Sequence, residues 1–236
     1  MSVAYTDSHA SEGYGRRYVG TYSRGYYAAQ WRAVEEPLLD RVLADVGGGS
    51  CLDVACGTGR ITGVARRHFR RVVGVDVSRS MLEQAPAWPG VEYRHADVTA
   101  ASLGETFDVA TAFRFFLKAE PELREAAIRA VHAHLNPGGR LVANIHMQAS
   151  SPVGMMYRVQ GALRGRAHQT LSVDAFSAFL HGHGFEVERV EFYGYCPRPG
   201  PALPDLMERL VPAVEKMGRV LPDGMAQCFM VVARKV

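Results

Sequence analysis

Between residues 50 and 146 short apolar runs alternate with stretches of helical periodicity, and that rhythm commits the chain to parallel strands joined by crossover helices. Residues 51–55, 71–75, 91–95, 107–112 and 140–146 read as five strands. Residues 60–67 and 121–135 read as helices, and 80–84 as a helical start. Asn136-Pro137-Gly138-Gly139 is the expected turn into the fifth strand. Upstream, Val34, Leu38, Leu39, Val42 and Leu43 recur at helical spacing over 31–46, and Gly47-Gly48-Gly49 ends the run. Downstream, Ser172 should cap a helix reaching about His181, followed by strands over 185–195 and 227–233.

Three segments break the rhythm. Residues 1–30 carry Tyr5, Tyr14, Tyr18, Tyr22, Tyr26 and Tyr27 among glycine and serine and read as a partly helical lid. Residues 149–170 and 197–224 read as insertions, the second built around an amphipathic stretch over 203–217. At 236 residues the expectation is one α/β domain with an N-terminal lid and two insertions over a pocket.

Composition narrows the partners. The formal charge of +3 comes from 24 Arg and only three Lys, Lys118, Lys216 and Lys235, interleaved with acids. The densest basic run, Arg66-Arg67-His68-Phe69-Arg70-Arg71, either binds an anion or solvates a helix end. The second reading weighs more, so no nucleic-acid partner is expected. Cys51, Cys56, Cys196 and Cys228 form no C-x-x-C pair, which suits reduced thiols and a cytoplasmic location. No apolar run approaches the roughly 20 residues that span a bilayer, and no membrane partner is expected. His132 with His134, and His181 with His183, are spaced i,i+2 and diverge on a helix, so no metal site is proposed.

The strongest chemical signal is Leu52-Asp53-Val54-Ala55-Cys56-Gly57-Thr58-Gly59-Arg60, between a strand and a helix. Small residues there let backbone amides approach a ligand while a helix start faces it. A dinucleotide wants a third glycine, where this chain has Thr62. Asp53, four residues before Gly57, would repel a pyrophosphate and orient an ammonium group. That charge favours a nucleoside with a cationic amino-acid tail, S-adenosylmethionine. Asp76, 19 residues after Gly57 at the end of the second strand, is placed to accept ribose hydroxyls. Asp97 could take an adenine amino group and Val98 cover the ring, with Val77, Met81 and Leu82 near the other face; each alone also fits a cap or a core side chain.

The order Asp-x-Ala-Cys-Gly-Thr-Gly, Val-Asp-x-Ser-x-x-Met-Leu, Ala-Asp-Val, Phe-Asp-Val and Asn-Pro-Gly-Gly-Arg-Leu resembles class I S-adenosylmethionine-dependent methyltransferases. Among them it is most similar to the small-molecule enzymes of the ubiquinone/menaquinone-biosynthesis type. The resemblance covers about 52–142 closely and the later strands loosely. It implies a Rossmann-like seven-stranded sheet of order 3-2-1-4-5-7-6 with the last strand antiparallel. It also implies Gly57 and Gly59 against the cofactor, with Ala55, Cys56, Thr58 and Phe113 around it, Asp76 on the ribose and Asp97 on the adenine. Phe113-Arg114-Phe115-Phe116-Leu117-Lys118 stands where many members have a histidine-rich turn, so no acid–base role is carried over there.

Methyl transfer from a sulfonium is an in-line displacement that needs alignment and, for a hydroxyl or amine, proton removal. His146, at the carboxyl end of the fifth strand, is the first candidate base and His168, in the first insertion, the second; a histidine at a strand end is also often structural. Arg114 either binds an acceptor carboxylate or phosphate or pairs with a helix acid. Met155 and Tyr157 are acceptor-side candidates. Tyr18, Tyr22 and Trp31 either face the sulfonium by cation–π attraction or simply pack the lid. The expected partner is a small-molecule methyl acceptor with an apolar or aromatic body, methylated on oxygen or nitrogen, by a monomer or homodimer. Carbon methylation of an electron-rich ring, an NAD(P)-dependent oxidoreductase and a non-catalytic cofactor-binding protein are the alternatives.

Overall fold

The computed structural model describes residues 14–163, 165, 169–197, 203–218 and 220–236. Its frame is one sheet of seven strands: β1 (Ser50–Val54), β2 (Arg71–Asp76), β3 (Val91–His95), β4 (Phe107–Ala112), β5 (Leu135–Ile145), β6 (Phe185–Tyr193) and β7 (Cys228–Lys235). Their order is β3-β2-β1-β4-β5-β7-β6, as the family resemblance implies. The first five strands are parallel, and β7 runs antiparallel to both β5 and β6.

Alternation along each strand divides the core between the two faces of the sheet. Leu52, Val54, Val73, Val75, Ala110, Ala112, Leu141 and Ala143 point into one layer, closed by α6 (Pro121–His134) and α8 (Val173–His181) through Ile128, Val131, Phe176 and Leu180. Cys51, Val72, Val109 and Val142 point into the other, closed by α3 (Glu36–Val46) and α4 (Arg60–Ala65) through Leu39, Leu43, Ile61 and Val64. Ser172 caps α8 as expected, its hydroxyl accepting the Ala175 amide at 3.2 Å.

Several boundaries differ from expectation. The residues read as a turn, 136–139, belong to a longer β5: Leu135 already pairs with Phe107, and the register shifts between Phe107 and Val109 to absorb the extra residues. Asn136 fastens that bulge by donating to Asp108 at 2.8 Å. The helix expected over 31–46 opens as a π-helical turn, Trp31–Glu35, before α3. The lid holds α1 (Tyr14–Thr21) and α2 (Gly25–Gln30), and the helical start after β2 is the short α5 (Arg79–Leu82). The insertions hold α7 (Pro152–Leu163), which the sequence reading did not assign as helix, and α9 (Pro204–Gly218). Arg66–Arg71 is spent locally. Arg66 lies 5.0 Å from the Trp88 ring, Arg67 pairs with Glu36 and Asp40, and Arg71 pairs with Glu92 and Glu105.

Candidate active site

The bend after β1 is built from left-handed backbone: φ is 53° at Ala55, 57° at Gly57 and 77° at Gly59. A side chain at Gly57 would also meet Met81, whose Cε lies 2.9 Å from where a Cβ would stand, and one at Gly59 would collide with the Tyr93 hydroxyl. Asp76 ties this bend to the end of β2, one carboxylate oxygen accepting the Gly57 amide and the other the Ser78 amide, both at 2.7 Å.

The bend opens into a cavity of about 540 Å³ at the carboxyl ends of β1, β2, β4 and β5, where open α/β sheets place their ligands. Ala55, Cys56, Gly57, Thr58, Asp76, Met81, Phe113, Arg114, His146 and Tyr157 line it, and Tyr18 and Tyr22 cover it from the lid. All twelve are expected site residues that the fold brings together. Arg17, Tyr27, Arg60, Leu117, Lys118, Met147 and Gln169 line it too, and the sequence reading did not propose them.

Other expected residues stand elsewhere. Asp53 is buried beneath the bend, accepting the hydroxyls of Thr62 at 2.5 Å and Thr111 at 2.8 Å. Burial pushes its carboxyl up to about 6 against the pull of those hydrogen bonds. Gly59 sits under Tyr93 rather than in the cavity wall. Asp97 is exposed and folds back on Thr99, accepting its amide and hydroxyl at 2.8 and 2.7 Å, while Val98 packs into the core. Val77 presents its carbonyl to the His95 ring at 2.9 Å. Met155 points outward from α7, 49% exposed. Trp31 packs beneath Arg60. His168 lies outside the described residues.

A buried polar network supports the β4–β5 side. Glu35, in the π-helical turn, pairs with Arg114 at 2.8 Å and accepts hydrogen bonds from Asn144 and Tyr193, each at 2.9 Å. Asn144 in turn accepts the Arg114 amide at 2.7 Å, which fixes a residue whose φ is 58°. Burial acts to raise the Glu35 carboxyl, but Arg114 and Arg60 overcome it and hold the group below its ordinary range. Arg114 thus pairs with a helix acid, one of the two readings its position allowed, and also lines the cavity. Nothing in the local pattern around Glu35, Asn144 or Tyr193 marks them, since the network closes across 30 to 158 residues of chain.

Arg60 reaches from the start of α4 to the lid. Its guanidinium stands 3.9 Å from the Tyr22 ring centroid and 4.6 Å from that of Trp31, and donates to the Tyr18 hydroxyl at 3.1 Å. The Tyr18 phenol is pushed upward by burial and stays protonated at neutral pH. Among the described residues no group of three or more His, Cys, Asp or Glu is arranged to hold a metal, and no helix is long and apolar enough to cross a membrane.

Residues 51–139 match the family model described as a methyltransferase domain. This segment, under half of the chain, is similar to the methyltransferase domain, and the sheet order is that of the fold shared with solved S-adenosylmethionine-dependent methyltransferases. More particularly, the chain is 39% identical over 97 residues to a cypemycin N-terminal methyltransferase of a Streptomyces species, covering 39% of this chain and 40% of that protein. It is 33% identical over 103 residues, 42% of each chain, to a ubiquinone/menaquinone biosynthesis C-methyltransferase of Desulfotalea psychrophila. The chain thus spans about two fifths of the length of these curated relatives. Over 98% of its length it shares the fold of the magnesium protoporphyrin IX methyltransferase of Synechocystis PCC 6803, solved with SAH bound. The TM-score is 0.66 at 17% identity, covering 97% of that structure.

Proposed function

We propose that the protein, acting as one domain over residues 1–236, transfers the methyl group of S-adenosylmethionine to an oxygen or nitrogen of a small molecule. The observation that carries this reading is a single shared cavity: the glycine bend, the Asp76 carboxylate and His146 all open into it. The residues present fit the cofactor. Gly57 leaves room that a Cβ would fill, the Asp76 carboxylate lines the cavity at the end of β2 where it would face the ribose, and Met81 offers an apolar face to the base. Ala55, Cys56 and Thr58 would flank the amino-acid tail. When bound, the cofactor supplies an electrophilic methyl on a sulfonium, whose departure leaves a neutral thioether.

The protein's own part is alignment, exclusion of water and proton removal. Tyr18, Tyr22, Phe113 and Tyr157 wall the cavity with aromatic faces that keep water from the cation and suit an apolar acceptor. His146, 7% exposed just beyond β5, lines the cavity and is the proposed base; Tyr18, held protonated, is not. Calorimetric titration with S-adenosylhomocysteine and with NADH tests the reading. Micromolar binding of the first and none of the second is expected; the reverse pattern replaces the methyltransferase with an oxidoreductase.

A further inference from the structure

The described part of the lid, residues 14–30, is anchored at both ends and gripped in the middle. At one end α1 leans on α5, where Gly15 leaves no space for a side chain against the Ser80 carbonyl. At the other, the Gly25 amide donates to Glu208 of α9 at 2.8 Å and the Tyr26 hydroxyl to the Cys196 carbonyl at 3.0 Å. Between these anchors Tyr18, Tyr22 and Tyr27 line the cavity as a row of rings, with centroids 4.7 and 5.4 Å apart.

Arg60 meets that row from the first residue of α4, directly after Gly59 of the bend. Its guanidinium stands 3.9 Å from the Tyr22 centroid and 4.6 Å from that of Trp31, and Nη2 donates to the Tyr18 hydroxyl at 3.1 Å. Its Nε and Nη1 are buried against these rings without a hydrogen-bond partner. Arg67 and Arg71, by contrast, pair with surface acids. A desolvated cation whose charge is met by ring faces is a costly way to hold a fold together, because the faces replace only part of the lost hydration. Here the rings it holds are those that wall the cavity, so the contact ties the backbone bend to the lid. Arg114, 5.1 Å from the Tyr22 centroid and fixed by Glu35, completes the grip on that ring.

We propose that Arg60 is a positioning residue: without touching the cofactor it keeps Tyr18 and Tyr22 closed over the bend and so sets how long a bound nucleoside stays. The inference rests on the methyltransferase reading above and gives Arg60 a part in that reaction.

Stopped-flow release of S-adenosylhomocysteine and of methylthioadenosine, which lacks the amino-acid tail, tests this in the full chain. Arg60→Met should speed the release of both by about ten-fold and raise the KM for S-adenosylmethionine more than it lowers kcat. Tyr22→Leu should do the same, and the double variant no more than either single one, since both substitutions break one contact. Arg60→Lys keeps the charge but not the flat face; it should behave like Arg60→Met and serves if the latter folds poorly. Arg66→Met, which breaks the contact with Trp88 just beyond the other end of α4, should leave release unchanged. Faster release of S-adenosylhomocysteine alone, with methylthioadenosine unaffected, overturns the inference, because Arg60 would then hold the tail directly. Additive effects of the Arg60 and Tyr22 substitutions overturn it too, as does unchanged release in the Arg60 variants; each of these leaves the methyltransferase standing. Failure of the wild-type chain to bind S-adenosylhomocysteine removes both readings.

Discussion

The two sides of the cavity treat a buried acid in opposite ways. On the β1–β2 side, Asp53 is held by two threonine hydroxyls and no cation, and burial raises its carboxyl to about 6. On the β4–β5 side, Glu35 is just as buried but meets Arg114, and its carboxyl falls below the ordinary range. The first arrangement leaves an acid whose charge is best compensated by an arriving cation. The second is complete within the protein and serves to fix Arg114 and the lid. Burial alone therefore does not set the state of a carboxyl; the partner supplied by the fold does.

Breaking the ion pair gives the largest expected effect. Glu35→Ala leaves Arg114 buried without its counter-charge and should lower the unfolding free energy by about 3–5 kcal/mol in urea melts, with Arg114→Met in the same chain recovering much of the loss. A loss under about 1 kcal/mol would mean that water replaces the carboxylate and that the two sides do not differ as described.

The Asp53 side makes a prediction of opposite sign in pH. Because its folded value, about 6, lies above the ordinary 3.8, the protonated acid favours the folded state. Its stabilising contribution is complete below pH 3.8 and is lost as pH rises through about 6, whereas that of Glu35 is lost as pH falls. Relative to Asp53→Asn, the wild type should lose roughly 2 kcal/mol of stability between pH 4 and pH 7, by the conversion of about 1.4 kcal/mol per pH unit between the two values. A difference between the two proteins that stays flat with pH would show that Asp53 is already compensated.

Between the two acids lies the chemistry. His146→Ala should reduce methyl transfer from labelled S-adenosylmethionine about 100-fold or more while S-adenosylhomocysteine affinity stays within a factor of three. Unchanged turnover would remove His146 as base. The smallest effect concerns the bend: Gly57→Ala, at φ 57° and against Met81, should cost about 1–2 kcal/mol of stability and also weaken S-adenosylhomocysteine. Gly104→Ala, at φ 74° with open space around it, should cost a similar amount of stability without changing affinity. Equal affinity losses in both variants would show that strain, not the ligand approach, explains the bend.

What could be read in advance follows the same division. The Asp53-to-Gly59 motif, Asp76 and the strands themselves are local or follow from local rules: small residues where the backbone turns left-handed, a carboxylate at a strand end, apolar alternation that buries both faces of a sheet; the strand order is what the family resemblance implies. Even so, Asp97 and Val98 were expected against a ligand and instead form a turn cap and a core contact, because a strand-end acid fits either use. The helix of residues 152–163 escaped notice because its glycines and exposed methionines blur the periodicity.

The amino-acid sequence by itself determined the doubly wound sheet, the glycine bend and the acid at the end of β2, since each depends on backbone preferences and hydrophobic period over a few residues. Only the tertiary structure decided that Glu35, Arg114, Asn144 and Tyr193 form one network, that Arg60 stands among aromatic rings, and that Asp53 lies below the cavity. Those outcomes depend on which distant side chains share a desolvated space, and the strength of a buried charge's interactions is set by that space, not by its neighbours along the chain.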